Sequence, residues 1–411
     1  MVEVVELSPD DARRITLRAQ GLIGADAPRG GVPAMLRRLG AVQLDTISVL
    51  ARSHELVAYA RLGAIGRDKV EDAYWHATRP ATFEYWAHAA CILPMEAWPY
   101  YAARRRAIQA RGQRWHQVSQ QAVDTVLARL RAEGPLTATG LGGAKAGGPW
   151  WDWSEVKIAA EWLLDTGQAV CVRRTGWRRV YDLPERVIPG ELLSADPTDA
   201  QCLAQMVSVT ARALGVATHA DFRDYHRLDW FGLKQGNPAS IDKAAEEAGL
   251  TPVTITGGAR PAGGRPPVKE LLAWADPGAL AWLDAGGRGT HRTTLLSPFD
   301  SLAWDRKRTL RMFGFQHGLE AYLPKEKRVH GYFAMPLLAG GHLIGRADPG
   351  RSGKTLVAKH VSLDKPSAAD PMARALVEAA SWVGCDAIVT ERVTPPHLTE
   401  RLASALKQVA G

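Results

Sequence analysis

Residues 169–183 have the sequence AVCVRRTGWRRVYDL, and this stretch decides the fold class. Two runs with valine and tyrosine flank the turn Thr175-Gly176-Trp177, a pattern typical of a β-hairpin. Three helices are predicted before it, over 120–131, from Gly134 onwards, and over 153–165. Helix, helix, helix, hairpin is the order of a winged-helix unit.

Similar orders occur on both sides of this stretch. Before it, we predict helices over 8–22, over 33–39 and from Ser48 to Arg61, with a short extended segment at 41–46. After it, we predict helices over 202–214, 218–226 and 233–248, then strands over 251–256, 293–297, 329–338, 342–347 and 355–361, and final helices over 369–384 and 396–409. The sequence therefore predicts an α+β chain with winged-helix units in tandem. The expected segments are a first unit at 1–100, a basic helix or linker at 101–118, a second unit at 119–190, a third at 199–257, a Gly/Pro loop at 258–268, and a β-rich region with C-terminal helices at 269–411.

Composition favours a polyanionic partner and a reducing compartment. The chain has 411 residues, a formal charge of +8 and a pI of about 9.4. The acidic N-terminus and the absence of any long apolar stretch predict neither a signal peptide nor a membrane helix. The four cysteines form no paired motif, so we expect no disulfide framework and no metal site. We expect a cytoplasmic monomer without cofactors, associated with the nucleoid.

One near-match to a nucleotide-binding motif is rejected. Residues 348–355 almost spell a phosphate-binding loop, but Asp348 stands where its first glycine belongs. The flanking residues predict two strands, whereas a phosphate-binding loop joins a strand to a helix. We therefore predict a basic hairpin tip at Arg351–Lys354.

The residues that carry chemistry are Gln43-Leu44-Asp45. In an extended segment Val42 and Leu44 point to one side, while Gln43 and Asp45 point to the other and can face a cleft. A carboxylate can accept a proton from water or stabilise a cation, and an amide can orient that water. This pair suits hydrolysis of an N-glycosidic bond, whose transition state resembles an oxocarbenium ion. The alternative is that Gln43 and Asp45 are exposed polar residues at the edge of a loop.

Four groups of residues resemble the YcaQ (AlkX) and AlkZ family of winged-helix DNA glycosylases. They appear in the same order along most of the chain: 43–63 with the Gln-Leu-Asp motif, 83–94, 296–315, and 330–348. The resemblance implies tandem winged helices arranged in a C shape around a small β-barrel. It also implies excision of N7-alkylated guanines and unhooking of N7-linked interstrand crosslinks in duplex DNA.

The family's signature is Gln, an apolar residue, then Gln or Asp, and Gln43-Leu44-Asp45 has the Asp form of the YcaQ branch. By this resemblance Asp45 would activate water or stabilise the sugar cation, and Gln43 would position the water. No Schiff-base lysine stands beside the motif, as expected for a monofunctional hydrolase. The chain departs from the family at one position. It has His54-Glu55 where the family has a pair of histidines.

Basic residues are concentrated late in the chain and predict DNA contacts. Residues 301–356 contain ten basic residues against four acidic ones. A crosslinked guanine cannot flip freely, so we expect an open cleft with the motif near its rim. The predicted DNA-contacting residues are Arg52, Ser53, His54, Arg61, Arg306, Arg308, Lys327, Arg328, Arg346, Arg351 and Lys354.

Other functions share several of these features. A winged-helix transcription regulator would have the same basic charge but no need for Asp45. A non-catalytic architectural or RNA-binding protein would bind nucleic acid in a salt-sensitive way without preferring lesions. A metal-dependent nuclease is disfavoured because the sequence shows no clustered carboxylates.

Overall fold

The computed structural model describes residues 5–24, 29–76, 80–112, 117–143, 154–229, 237–256 and 270–410. They form two compact units. Unit 1 comprises Met1–Val70, Thr210–Asp221 and Gly249–Gly411, and unit 2 comprises Glu71–Val209 and Phe222–Ala248. Parts of the predicted segments at 101–118, 153–165 and 233–248, and the whole loop at 258–268, lie outside the described residues.

Helices and short strands alternate along the described residues, which confirms a mixed α+β chain. The α-helices are α1 (Pro9–Ala19), α2 (Gly31–Leu39), α3 (Ser53–Leu62), α4 (Arg67–Trp75), α5 (Ala102–Arg111), α6 (Gln120–Glu133), α7 (Glu155–Asp165), α8 (Gly190–Ser194), α9 (Asp199–Leu214), α10 (His219–Tyr225), α11 (Pro238–Glu247), α12 (Pro277–Asp284), α13 (Arg306–Phe313), α14 (Ala369–Trp382) and α15 (Thr399–Ala410). Short 3-10 helices cover Met95–Tyr101, Pro184–Arg186, Lys325–Lys327, Pro366–Ala368 and Pro396–Leu398. In this part of the chain, no helix is long and apolar enough to cross a membrane.

The strands are mostly short. They are β1 (Val5–Leu7), β2 (Val42–Gln43), β3 (Thr82–Trp86), β4 (Ala90–Pro94), β5 (Leu136–Thr137), β6 (Val170–Thr175), β7 (Arg178–Asp182), β8 (Val216–Ala217), β9 (Thr251–Thr256), β10 (Glu270–Ala275), β11 (Thr294–Leu295), β12 (Met335–Ala339), β13 (His342–Ser352), β14 (Thr355–Leu363), β15 (Ala387–Thr390) and β16 (Val393–Thr394).

Unit 1 contains two sheets. The larger has the order β11-β12-β13-β14-β15, with β16 also paired to β14. The smaller has the order β1-β9-β10-β8, in which β1 and β9 are parallel. Leu295, Met335 and Leu337 of the larger sheet pack with Met372 and Leu376 of α14 in one buried cluster. This apolar core supports α3, because Leu56 and Tyr59 of that helix belong to the same cluster.

Unit 2 contains the hairpin predicted over 169–183. Strands β6 and β7 pair antiparallel, with Thr175 opposite Arg178, and β5 pairs with β7. A second hairpin joins β3 to β4. Arginines of α5 make contacts within this unit. Arg104 is fully buried, and Arg106 forms an ion pair with the carboxylate of Asp199 at 2.6 Å.

Local signals placed most elements correctly. Ser8 caps α1 by accepting the Asp11 amide at 3.1 Å, and Gly40 ends α2 in the left-handed conformation, as expected. The predicted tip at Arg351–Lys354 is the turn between β13 and β14. Three predictions were wrong. The strand predicted over 329–338 begins only at Met335, as β12 (Met335–Ala339). The residues after Gly134 form β5, which pairs with β7, where a helix was predicted. Helix α3 begins at Ser53, later than predicted.

Candidate active site

The Gln-Leu-Asp motif lies where strand β2 ends and the chain turns towards α3. Val42, Gln43 and Leu44 are all buried, and Gln43 is only 8% exposed. Asp45 follows the strand and is half-buried. A buried glutamine next to a half-buried aspartate argues against the alternative of two exposed residues at a loop edge.

Two hydrogen bonds, each between a side chain and the backbone, fix the motif at both ends. Ser53, the first residue of α3, is fully buried, and its Oγ donates to the carbonyl oxygen of Gln43 at 2.6 Å. The Ile47 amide donates to Oδ1 of Asp45 at 2.9 Å. These two contacts position the strand end and the Asp45 carboxylate. Neither of them uses the side-chain carboxamide of Gln43.

Desolvation dominates the electrostatics of Asp45. Burial raises the pKa of its carboxyl group above the ordinary value of 3.8, while the amides of Ile47 and Thr46 lower it in part. A carboxylate with a raised pKa is a better proton acceptor than an ordinary aspartate, and it is poorly screened by water. Both properties suit water activation or stabilisation of a nearby cation.

Glu55, which departs from the family resemblance, has a structural role in α3. Its Oε2 accepts the Arg52 amide at 2.6 Å, and its Oε1 lies 2.7 Å from Nε of Arg67. The carboxylate thus satisfies an amide at the start of the helix. It fixes the helix whose first residue, Ser53, holds Gln43.

Several predicted DNA-contacting residues are buried in unit 1. Arg61 is 3% exposed and forms two hydrogen bonds with the Asp300 carboxylate, at 2.6 and 2.9 Å. Arg308 is 4% exposed and lies 2.8 Å from the Asp221 carboxylate. A phosphate contact would require either arginine to leave a buried partner. We therefore withdraw both from the predicted DNA-contacting set.

The other predicted contacts divide by exposure. Ser53 and His54 are fully buried, and Arg346 is 8% exposed with its guanidinium over the Phe315 ring, so these three are also withdrawn. Arg52 and Arg328 are half-buried. The exposed members of the predicted set are Arg306, Lys327, Arg351 and Lys354.

Sequence reasoning missed Tyr322, which the structure places in the electrostatic neighbourhood of Asp45. Partial desolvation of its hydroxyl and the nearby charge of Asp45 raise the pKa of the phenol. The side chain is nevertheless 77% exposed. The sequence signal that marks this position is an aromatic residue two positions before Pro324, which is followed by Lys325, Lys327 and Arg328.

Comparisons with known proteins cover the motif and most of the chain. The family model described as "DNA glycosylase AlkZ-like" matches residues 36–382. Among solved structures, the chain is similar to the Streptomyces sahachiroi DNA glycosylase AlkZ, with a TM-score of 0.57 and 18% sequence identity. That similarity covers 95% of this chain and 100% of the other, and at this identity it shows a shared fold.

Proposed function

This chain belongs to the AlkZ-like DNA glycosylase family, and we propose that it hydrolyses the N-glycosidic bond of N7-alkylated guanine in duplex DNA. The observation that carries the proposal is the Gln43-Leu44-Asp45 motif, with a half-buried, desolvated carboxylate fixed by the backbone of its own turn. We further propose that N7-linked interstrand crosslinks are substrates.

The chemistry follows from the charge of the substrate. Alkylation at N7 makes guanine cationic, so the base leaves as a neutral molecule when the N9–C1′ bond breaks, and no strong general acid is required. The developing positive charge on the sugar is stabilised by the carboxylate of Asp45. Water then adds to C1′ and passes a proton to Asp45, while Gln43 orients the water.

We propose a monofunctional reaction that ends at an abasic site. A lyase activity in this mechanism would need an amine to attack C1′. The first lysine of the chain is Lys69, well beyond the motif in sequence.

We propose that DNA phosphates contact the exposed basic residues Arg306, Lys327, Arg351 and Lys354 of unit 1, together with the half-buried Arg52 and Arg328. An open cleft at the motif would admit a crosslinked guanine that cannot flip. The winged-helix interpretation, the segment boundaries, the C-shaped arrangement around a β-barrel, the monomeric state and the cytoplasmic location remain parts of this proposal.

A gel assay tests the proposed reaction. Duplexes with a single N7-methylguanine or a nitrogen-mustard crosslink are incubated with the protein and then treated with alkali, which cleaves abasic sites. We expect lesion-dependent cleavage with the monoadduct and separation of the strands with the crosslink. Tight DNA binding with no release above the spontaneous rate on either substrate would favour a transcription regulator.

A further inference from the structure

The turn between β6 and β7 in unit 2 carries a tryptophan in a backbone conformation that tryptophan rarely adopts. Thr175 pairs with Arg178, so Gly176 and Trp177 are the two central residues of the turn. Their φ angles are +54° and +66°, the signs of a type I′ turn, whose second central residue is usually glycine. A bulky residue with positive φ strains the backbone, so the geometry of the turn alone does not explain the tryptophan.

An anchored arginine holds this turn in place. The Arg174 guanidinium lies 4.4 Å from the centroid of the Trp177 ring, and its Nη1 donates to the Trp177 carbonyl oxygen at 3.1 Å. The same guanidinium donates from Nε and Nη2 to the two carboxylate oxygens of Glu84, at 2.8 and 2.7 Å. Glu84 lies on β3 and is only 2% exposed. A buried carboxylate therefore fixes the arginine that contacts the ring.

The four arginines of this hairpin divide into two pairs. Residues 166–181 contain these four and no aspartate or glutamate. Arg174 and Arg179, the inner pair, lie opposite each other, and both contact the Glu84 carboxylate, at 2.7 and 3.2 Å. Arg179 also lies 2.6 Å from the carboxylate of Glu161 on α7. Two buried carboxylates therefore neutralise the inner pair.

The outer pair, Arg173 and Arg178, is exposed. Neither side chain forms an ion pair with another described residue. Arg173 lies opposite Val180, two positions further from the turn than Arg178, a diagonal spacing of about 7–8 Å between the two backbones. We call residues 173–178 the Trp177 tip. The Trp177 tip presents two cations that no carboxylate neutralises, together with a half-buried indole ring.

We propose that the Trp177 tip is a DNA contact in unit 2, in which Arg173 and Arg178 bind backbone phosphates and the ring of Trp177 packs on the deoxyribose between them. Free cations suit phosphate contacts, and a two-stranded ribbon is narrow enough to enter the major groove. The indole ring adds apolar contact area. Stability of the hairpin alone would require neither outer arginine, and glycine would suit the turn better than tryptophan.

This contact rests on the proposed DNA substrate, but not on the lesion that is excised. Phosphates and sugars are the same at every base pair, so the Trp177 tip would bind damaged and undamaged duplexes alike. It requires no flipped base, which is consistent with a crosslinked guanine as substrate. A lesion-free duplex is therefore the right probe.

Fluorescence anisotropy with a lesion-free duplex at several salt concentrations tests the phosphate contacts. Arg173→Ala with Arg178→Ala should reduce the slope of log affinity against log salt concentration by about 2, because two phosphate contacts are lost. The control is Arg131→Ala with Lys243→Ala, which removes the same charge from exposed positions of α6 and α11 in the same unit. A slope reduced no more than in the control overturns the phosphate contacts.

Trp177→Gly separates a DNA contact from a structural role. Glycine adopts positive φ without strain, so this variant should melt at a temperature no lower than that of wild type. Its affinity for the duplex should nevertheless fall about 3- to 30-fold with an unchanged salt slope, whereas Trp177→Phe, which keeps an aromatic ring, should retain most of the affinity. Full affinity in Trp177→Gly overturns the ring contact, and a lower melting temperature with full affinity would assign the ring to the hairpin instead.

Failure of the proposed function gives a different result. A wild-type protein that binds the duplex but releases no base contradicts the proposed reaction, while the salt slopes and the Trp177→Gly affinity still decide whether the Trp177 tip contacts DNA.

Discussion

Asp45 combines two properties at the residue scale: it is half-buried, and its hydrogen-bonding partners are backbone amides of its own turn. Amide partners cannot be titrated, so the protonation of Asp45 depends on its solvation and on the charge of what binds beside it. A cationic base would favour the ionised carboxylate. The residue is thus suited to a substrate that brings its own positive charge.

The pH dependence of excision follows from this environment. Because burial raises the pKa of Asp45, acidification removes the carboxylate form at a higher pH than for an ordinary aspartate. The proposed reaction needs that form, so the single-turnover rate should fall as the pH drops through the raised pKa, with a midpoint above 3.8. The rate is measured against an enzyme-free control at each pH. A flat profile down to pH 4 would contradict the assigned role.

At the element scale, α3 connects the motif to the core of unit 1. Its first residue, Ser53, bonds the Gln43 carbonyl, its Glu55 caps the helix start, and its Tyr59 stacks on Trp382 of α14 with ring centroids 4.4 Å apart. The Ser53 hydrogen bond therefore links the motif to a helix that packs on the apolar core of unit 1.

Removal of that bond should affect catalysis and stability together. Ser53→Ala leaves the buried Gln43 carbonyl without its partner, which costs about 1–3 kcal/mol of the free energy of unfolding. We expect kcat to fall while DNA affinity is retained, because Ser53 is a positioning residue. Denaturant unfolding and single-turnover kinetics measure the two effects, with the exposed Ser48→Ala as control. A stability loss with unchanged kcat would show that the bond does not position the motif.

The β13–β14 hairpin presents Arg351 and Lys354 at its tip, where both are exposed. If both contact phosphates, Arg351→Ala with Lys354→Ala should reduce the slope of log affinity against log salt concentration by about 2. Anisotropy titrations at several salt concentrations measure the slope. The control is Lys243→Ala on α11, whose side chain is 77% exposed. An unchanged slope in the double variant would remove the tip from the DNA-contacting surface.

The sequence predicted local features well and long-range partners poorly. The hairpin at 169–183 and the cap at Ser8 follow from spacing and turn chemistry alone. The motif at 43–45 stands out only with the help of the family resemblance. The start of α3 was predicted too early, at Ser48. The N-terminal cap of the helix is a hydrogen bond from the backbone amide of Arg52 to the side chain of Glu55, a contact that the residue type at position 52 does not reveal. Arg308 was assigned to DNA because its partner, Asp221, is 87 residues away and invisible to local reasoning.

At the scale of the whole molecule, buried ion pairs connect distant parts of unit 1. Arg61 and Asp300 are 239 positions apart, and their side chains are 1% and 0% exposed. Arg61 also donates to the Gln20 side chain at 2.8 Å, so three segments meet at one guanidinium. These contacts join three distant segments of unit 1.

Loss of the Arg61–Asp300 ion pair should lower the free energy of unfolding and leave the DNA contacts intact. Arg61→Met strands the buried Asp300 carboxylate and should cost about 3–5 kcal/mol of the free energy of unfolding. Asp300→Leu in the same chain should recover part of that loss, whereas Arg129→Met, at an exposed pair on α6, should have little effect. Denaturant unfolding measures all three. A normal stability for Arg61→Met, with a reduced salt slope, would return Arg61 to the DNA-contacting set.

We propose that Asp45 drives hydrolysis of the N7-alkylguanine glycosidic bond. Chromatographic detection of free N7-methylguanine tests this role under single-turnover conditions, with wild type, Asp45→Asn and the exposed control Asp284→Asn compared side by side. We predict that Asp45→Asn loses about 100- to 10,000-fold in rate while its DNA affinity is equal or higher, and that Asp284→Asn matches wild type. Release by Asp45→Asn at the wild-type rate would show that Asp45 does not drive the reaction.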